Sequence, residues 1–197
     1  MSVIVKSGGE SNYTPHPEGQ YNAICIDVVD VGWTRGSALY PDPKYKIDLV
    51  FFCGLLTEPK EFDGETKVYP MTVRARFTAS LHEKANLRKF ARGWRGADFS
   101  DDEVRGGFDF EKMLSAPAFL QIEHNVASNG NTYANIVVAM RLPHGQAAPQ
   151  LPTDYTRVCE REGWTGPARH PDDMMTDPEP APAEPASHNE PDDDLPF

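Results

Sequence analysis

Hydrophobic and polar residues alternate along five stretches of the chain, and this period of two is the pattern of β-strands with one buried face. The five stretches are QYNAICIDVVDVG (20–32), KYKIDLVFFCG (44–54), VYPMTVRARFTAS (68–80), PAFLQIEHNVA (117–127) and TYANIVVAM (132–140). β-Branched and aromatic residues are frequent in them, as is typical of strands. The pairs Asp63-Gly64 and Asn129-Gly130 predict tight turns between strands.

The period changes between the third and fourth predicted strands, where the residues favour an α-helix. Ser80 and, three residues later, Glu83 form the pattern of a capping box at the start of this helix. The helix has one apolar stripe and a separate basic face. The stripe consists of Leu87, Phe90, Ala91 and Trp94, and the basic face consists of Lys84, Arg88, Arg92 and Arg95. Residues 96–115 are irregular and leave room for one further short helix.

Three strands, a helix and two more strands are the chain order of an OB-fold, a small Greek-key barrel. We therefore predict a mainly β protein, with a five-stranded OB-fold barrel and one α-helix between strands 3 and 4. Other small α+β meanders have the same order of elements, so the order alone leaves that alternative open.

Composition divides the chain into four parts. Residues 1–19 form an extended, polar lead-in, and residues 20–142 form the OB-fold domain. Residues 143–170 are predicted to be a linker with room for a short helix, since TDYTRVCEREGW is either a helical turn packed on the body or an isolated motif. Residues 171–197 contain seven prolines and nine acidic residues, which predicts a disordered acidic tail without a packed core.

The net charge of −11 is concentrated at the C-terminal end of the chain. Residues 1–150 contain 16 basic and 18 acidic residues, whereas residues 151–197 contain 3 basic and 12 acidic residues. The body is therefore close to neutral and can present a basic face to phosphates, while the tail has the pattern of an acidic interaction segment.

No arrangement of residues in the sequence indicates catalysis or a cofactor. The six histidines are scattered, the three cysteines have no CxxC spacing, and neither a GxxxxGK[ST] nor a GxSxG motif is found. Asp101, Asp102 and Glu103 offer oxygen ligands for Mg²⁺, but such a run is more often the solvated start of a helix. We expect a protein that is not an enzyme and uses no metal or cofactor. The polar start and the lack of a long apolar run predict a cytoplasmic protein without a membrane partner.

Basic and aromatic residues gather where an OB-fold binds oligonucleotides, which is the face of its second and third strands and the loops beside it. The cations are Lys44 and Lys46 on the outer face of the second strand and Arg74 and Arg76 on that of the third. The flanking residues are Trp33, Arg35 and Tyr40 in the first loop and Asn129, Asn131 and Tyr133 around the last hairpin. Cations follow phosphates and aromatic rings stack on bases, so this set predicts binding of single-stranded nucleic acid. The alternative is that the cations serve solubility and that Trp33 or Tyr40 folds onto the core.

The last residues of the chain resemble the C-terminal tip of bacterial single-stranded DNA-binding proteins. The matching residues are Asp192, Asp193, Asp194, Leu195, Pro196 and Phe197. That family also places an OB-fold first and a proline-rich or low-complexity linker before the tip. The resemblance implies that Phe197 and its carboxylate dock in a basic-rimmed pocket of replication and repair proteins, to which the acidic residues steer it. A solubilising tail would explain the run of Asp but not an exposed apolar end.

The body departs from the bacterial family and looks more like the single-stranded DNA-binding proteins of tailed bacteriophages. The segments with this likeness are PEGQYNAICIDVVDVG and SLHEKANLRKFARGW. We therefore expect a sequence-independent single-stranded DNA-binding protein of phage DNA replication, recombination or repair, located in the host cytoplasm, whose tip recruits partner proteins. A homo-oligomer is left open. The alternative is a protein-interaction adaptor built on an OB-fold, or a recombination mediator or annealing protein.

Overall fold

The structure, a computed structural model, describes residues 14–36, 41–62, 64–127, 130–153 and 155–172. The strands are β1 (Gly19–Thr34), β2 (Lys44–Leu56), β3 (Lys60–Phe62), β4 (Glu65–Lys67), β5 (Pro70–Thr78), β6 (Pro117–Val126) and β7 (Thr132–Met140). The helices are α1 (Asn86–Arg95) and α2 (Asp101–Gly106), with 3₁₀ turns at Phe110–Met113 and Val158–Glu160. The predicted lead-in up to residue 13 and the predicted tail from residue 173 lie outside the described residues.

Five long strands form one antiparallel sheet in the order β5-β2-β1-β6-β7. These are the five strands that the sequence predicts, and the mainly β class is confirmed. The short strands β3 and β4 form a separate hairpin around the turn predicted at residues 63–64. Within the described residues the sheet is open, because no ladder of hydrogen bonds joins the edge strands β5 and β7. The five strands therefore do not form a fully hydrogen-bonded closed barrel.

β1 is the longest strand and belongs to both halves of the sheet. Residues 19–24 pair with β6, and residues 24–34 pair with β2. The register with β2 shifts between Cys25 and Asp27 and again between Asp30 and Gly32, so each shift leaves one extra residue on β1. Such bulges bend a strand and increase its twist. The bent strand can therefore serve two partners that lie on different sides of the core.

The main core lies on the inner face of the sheet, where α1 covers it. The buried residues of this face include Ala23, Cys25, Leu49, Phe51, Val73, Ala118, Leu120, Ile122 and Ala139. The apolar stripe predicted for the helix is confirmed, since Leu87, Ala91 and Trp94 are buried. Trp94 packs edge-to-face on Phe51, with ring centroids 5.0 Å apart, and its indole N–H donates a hydrogen bond to the Pro117 carbonyl at 2.9 Å.

The helix α1 begins later than the sequence predicts, and the predicted capping box of Ser80 and Glu83 is wrong. Ser80 Oγ instead accepts a hydrogen bond from the His82 backbone N–H at 3.2 Å, within a turn that precedes the helix. The capping box of this region is formed by Ser100 and Glu103 at the start of α2, a second helix before the fourth long strand. None of the helices in the described ranges is long and apolar enough to cross a membrane.

The outer face of β1 and β2 is also apolar, and residues 155–169, which we call the strap, run over it. The buried residues of this face are Ile24, Ile26, Val29, Val50 and Phe52. Tyr155 and Val158 of the strap pack against them. Of the two alternatives that the sequence leaves open for TDYTRVCEREGW, the structure therefore has the turn packed on the body.

The close contact of α1 with β7 gives a test of the packing. A Cβ atom on Gly93 would lie 2.6 Å from the carbonyl oxygen of Ala139, whereas in the described part of the chain a Cβ on Gly106 of α2 would meet no atom within 4 Å. We expect Gly93→Ala to lower the free energy of unfolding by about 1–3 kcal/mol, because the helix must move away from the sheet. Gly106→Ala should leave it unchanged or raise it by up to about 1 kcal/mol, because alanine favours helices.

Urea unfolding followed by circular dichroism measures both variants. Equal stability of the two variants would contradict the packing of α1 on β7 described here.

Candidate nucleic-acid interface

Four cations lie together on the outer face of β2 and β5. The register pairs Lys46 with Thr78, Asp48 with Arg76 and Val50 with Arg74, and paired residues have their side chains on the same face of a sheet. Lys44 and Lys46 therefore share the face of Arg74 and Arg76, as the sequence predicts. The side chains of Arg74 and Arg76 are 56% and 51% exposed, so both guanidinium groups remain accessible.

A buried carboxylate holds the two arginines in place. Asp48 is only 1% exposed and accepts hydrogen bonds from Arg76 Nε at 2.7 Å, from Arg76 Nη2 at 2.8 Å and from Arg74 Nη1 at 3.4 Å. The hydrogen bond to Asp48 raises the pKa of Arg76 above its ordinary value. Because two arginines share one carboxylate, the group keeps one positive charge in excess. The sequence places Asp48 on the outer face but gives no sign that it is buried.

A cavity of about 740 Å³ lies between the strap and these arginines, and we call it the cation groove. Its sheet side consists of Val29, Val31, Asp48, Arg74 and Arg76, and its strap side of Val158 and residues 164–169. Trp164 and Arg169 are the aromatic and the basic residue of the strap side. The groove is thus lined by cations on both sides, with apolar surface between them.

A second cavity of about 460 Å³ adjoins the cation groove at Arg76, and we call it the lysine cleft. Its cations are Lys44, Lys46, Arg76 and Lys84, and none of the described residues that line it is acidic. Lys46 Nζ donates a hydrogen bond to Thr78 Oγ1 at 2.8 Å, which restrains its side chain. The groove and the cleft together form a continuous positive path over β5 and β2.

The path of positive charge ends near the N-terminal end of β5. A pocket of about 560 Å³ lies there, and Glu160 and Glu162 of the strap line it beside Arg161. The acids offset the arginine, so this end of the face is not favourable for a polyanion.

Trp33 lies on the face opposite to the lysines. It is paired with Tyr45, which alternates with Lys44 and Lys46 along β2. Its ring packs edge-to-face on Tyr45, with centroids 5.5 Å apart, and on His170, with centroids 4.4 Å apart. The structure therefore does not bring Trp33 into the cation groove, and its ring contacts agree with the alternative that it packs on the protein itself.

The remaining predicted residues lie in three different places. Tyr133 is 41% exposed at the start of β7 and lines a gap of about 670 Å³ between β7 and β5, across which Arg74 and Arg76 also lie. Arg35 is exposed just beyond the end of β1. Tyr40, Asn129 and the tip residues 192–197 lie outside the described residues.

Asp27 on β1 fixes the N-terminal part of the strap. This carboxylate is 1% exposed and accepts hydrogen bonds from Tyr155 Oη at 3.0 Å, from Arg157 Nε at 3.2 Å and from the Val158 backbone N–H at 2.8 Å. Burial, together with the nearby Asp27 carboxylate, raises the pKa of Tyr155 to about 12. The three donors satisfy a charge that would otherwise be costly to bury.

Gly32 and Ala168 fix the C-terminal part of the strap. The Trp33 N–H donates to the Ala168 carbonyl at 2.8 Å, and the Ala168 N–H donates to the Val31 carbonyl at 3.1 Å. A Cβ on Gly32 would lie 2.3 Å from the backbone N and O of Ala168. The strap can therefore reach β1 at this point because residue 32 is glycine.

The contribution of the strap to the groove is what sequence reasoning missed. The available signals are Asp27, an acid between Ile26 and Val28, and Gly32, a glycine within a strand, since an acid at a buried position requires a partner. Nothing in the sequence identifies the partner, because the Val158 N–H lies 131 residues further along the chain.

No group of three or more His, Cys, Asp and Glu side chains that could hold a metal ion occurs in the described ranges. Comparison with models of known protein families and with curated proteins finds no match for this chain.

The glycine contact gives a test of the attachment of the strap. Gly32 and Gly64 have nearly the same positive φ, 77° and 78°, so alanine introduces similar backbone strain at both positions. In the described structure a Cβ on Gly64 would meet no atom within 4 Å, whereas a Cβ on Gly32 collides with Ala168. We expect Gly32→Ala to release the C-terminal part of the strap and to raise the rate of tryptic cleavage after Arg169, the residue next to Ala168, by about 5- to 30-fold, which corresponds to a loss of one or two kcal/mol.

Mass spectrometry of the early fragments identifies the cleaved bond. Gly64→Ala is the control and should be cleaved after Arg169 at the wild-type rate. The same rate in Gly32→Ala would show that the strap is not held at Ala168.

Proposed function

We propose that the protein binds single-stranded DNA without sequence preference. The observation that carries this proposal is the continuous positive path formed by Lys44, Lys46, Arg74 and Arg76 on one face of the sheet. Guanidinium and ammonium groups bind phosphates whatever the base sequence, so a row of them favours binding without sequence preference. The proposal rests on this geometry and on the sequence resemblances given above.

We propose further that the open five-stranded sheet is an OB-fold. The OB-fold is a partly open Greek-key barrel whose second and third strands carry the oligonucleotide-binding face. The second and third long strands here are β2 and β5, which bear the four cations. The open gap between β5 and β7 is compatible with this assignment, because the barrel need not be closed by hydrogen bonds.

An unpaired strand fits this face better than a duplex does. The cation groove has apolar surface from Val29, Val31 and Trp164 beside its charges. Unpaired bases present such apolar and π surfaces, whereas a duplex hides its base faces within the stack. The apolar part of the groove therefore supports single strands as the ligand.

The acidic tip is proposed to recruit partner proteins during phage DNA replication, recombination or repair. This role rests on the resemblance of residues 192–197 to the tip of bacterial single-stranded DNA-binding proteins. Phe197 would supply a ring and an α-carboxylate at one point, and Asp192, Asp193 and Asp194 would steer it to a basic pocket on the partner.

A charge-removal variant tests the DNA-binding face. We expect the triple variant Asp48→Asn, Arg74→Gln, Arg76→Gln to bind oligo-dT about 100-fold more weakly, since each lost contact with a phosphate is worth about 1.4 kcal/mol. The change of Asp48 avoids leaving a buried carboxylate without its partners. If four or five phosphates are contacted, the log affinity of the wild type should fall with log salt at a slope of about −3 to −3.5. The slope of the triple variant should be less steep by about 1.4, because two phosphate contacts are removed.

Fluorescence anisotropy at several salt concentrations measures both quantities. Asp48→Asn alone keeps both arginines, and because the added net positive charge offsets the loss of their fixed orientation, it should bind within a few-fold of the wild type. Arg105→Gln on α2 should bind like the wild type. A flat salt response of the wild type, or an unchanged slope in the triple variant, would refute DNA binding at this face.

Deletion of residues 190–197 tests the separate role of the tip. We expect the truncated protein to bind oligo-dT as tightly as the full chain or more tightly, because eight residues with four acids and no cation are removed. Its capture of replication or repair proteins from an extract of infected cells should be lost. Weaker DNA binding after the truncation would contradict this division of roles.

A further inference from the structure

The strap brings an exposed tryptophan to the rim of the cation groove. Trp164 lines the groove on the side opposite to Arg74 and Arg76. The strap is held on both sides of this residue, at Val158 by Asp27 and at Ala168 by the backbone of β1. Trp164 is therefore presented by an anchored segment and not by a loose loop.

Trp164 is the most exposed of the three tryptophans. Trp94 is 2% exposed in the core, and Trp33 packs its ring on Tyr45 and His170. Trp164 is 36% exposed, and its backbone N–H donates a hydrogen bond to the Arg161 carbonyl at 3.1 Å. A large apolar ring left accessible at the edge of a charged groove has a π face available to a ligand.

The strap also adds a cation to the groove. Arg169 is exposed and lines the groove five residues after Trp164. In the described part of the structure no carboxylate lies within ion-pair distance of it, whereas Arg157 and Arg161 engage other groups of the protein. The strap side thus offers one ring and one cation, and the sheet side offers two cations held by Asp48.

We propose that the strap is the second wall of the DNA site, where a base of the single strand stacks on Trp164 while Arg169 and the arginines of β5 hold the flanking phosphates. This inference rests on the proposed function and adds a stacking residue that lies outside the five-stranded sheet. A ring with cations on both sides suits an unpaired nucleotide, because the ring can stack on its base while the cations bind its phosphates. Asp27 then acts as a positioning residue, because it holds the wall and does not touch the DNA.

Three variants separate the contribution of stacking to DNA affinity from that of charge: Trp164→Ala, Trp164→Phe and Arg169→Gln. Loss of one stacked base weakens binding by about 5- to 150-fold, so we expect a loss in this range for Trp164→Ala with an unchanged salt slope. Trp164→Phe keeps an aromatic face and should recover most of the affinity. Arg169→Gln should instead reduce the salt slope by about 0.7, because one phosphate contact is removed. Anisotropy with labelled oligo-dT in the full-length protein measures all three.

Tryptophan fluorescence supplies a second readout of the same contact. Stacking on a base quenches indole emission, so the wild type should be quenched at saturation with oligo-dT. Trp33→Phe should keep this quenching, and Trp164→Phe should lose it although it still binds. Gly32→Ala, which displaces the strap without changing Trp164, should weaken binding like Trp164→Ala, whereas Gly64→Ala should not.

The outcomes distinguish this inference from the function on which it rests. If the wild type binds oligo-dT with a steep salt slope but Trp164→Ala binds equally well and Trp164→Phe is still quenched, the strap is not a wall of the site and the proposed function stands. If the wild type does not bind oligo-dT at low salt, both proposals are wrong. Urea unfolding of Trp164→Ala should match the wild type, and a large loss of stability would assign Trp164 a structural role instead.

Discussion

A carboxylate buried in an apolar sheet face needs hydrogen-bond donors around it. Two such carboxylates organise the outer face of this protein. Asp27 on β1 is met by Tyr155, Arg157 and the backbone of Val158. Asp48 on the neighbouring strand β2 is met by two arginines of β5. One acid thus holds the strap and the other holds the cations, and the cation groove is the space between the two assemblies.

The same constraint explains why the arginines are suited to binding although they are already paired. Arg76 donates two hydrogen bonds to Asp48 while its side chain stays half exposed. Its guanidinium group is therefore fixed in orientation and still accessible. A side chain that is ordered before binding loses less conformational entropy when a phosphate arrives. The shared carboxylate lowers the net charge of the face but leaves an excess of positive charge. Lys44, Lys46 and Lys84 extend this excess over the lysine cleft.

The parts of the structure that sequence predicts are those with a local signal. Alternation placed Leu49 and Phe51 inward and Lys46 and Arg76 outward, because each strand has a period of two. The bulges of β1 break this period, since one extra residue reverses the faces of all that follow. Val29 lies between the two bulges, so its side chain is on the outer face although alternation from Cys25 predicts the inner face. The second bulge restores the period before Trp33, which the sequence misplaced because it predicts a loop after Gly32. Ser80 and Glu83 match a capping box, but a local hydrogen bond from His82 to Ser80 competes with it. Local patterns do not identify the strap or Trp164 as a wall of the groove, because the contacts of the strap with β1 join residues more than 120 positions apart.

The long separation between Asp27 and its donors has a consequence for the order in which the protein is completed. During synthesis β1 leaves the ribosome well before residues 155–168, so the nascent strand has a hydrated acid and an uncovered apolar face until the far end of the domain emerges. Contacts of such long range form late and slow the folding of a chain. A fragment that stops after β7 would retain every strand of the sheet and yet expose this strand permanently, as a surface open to self-association.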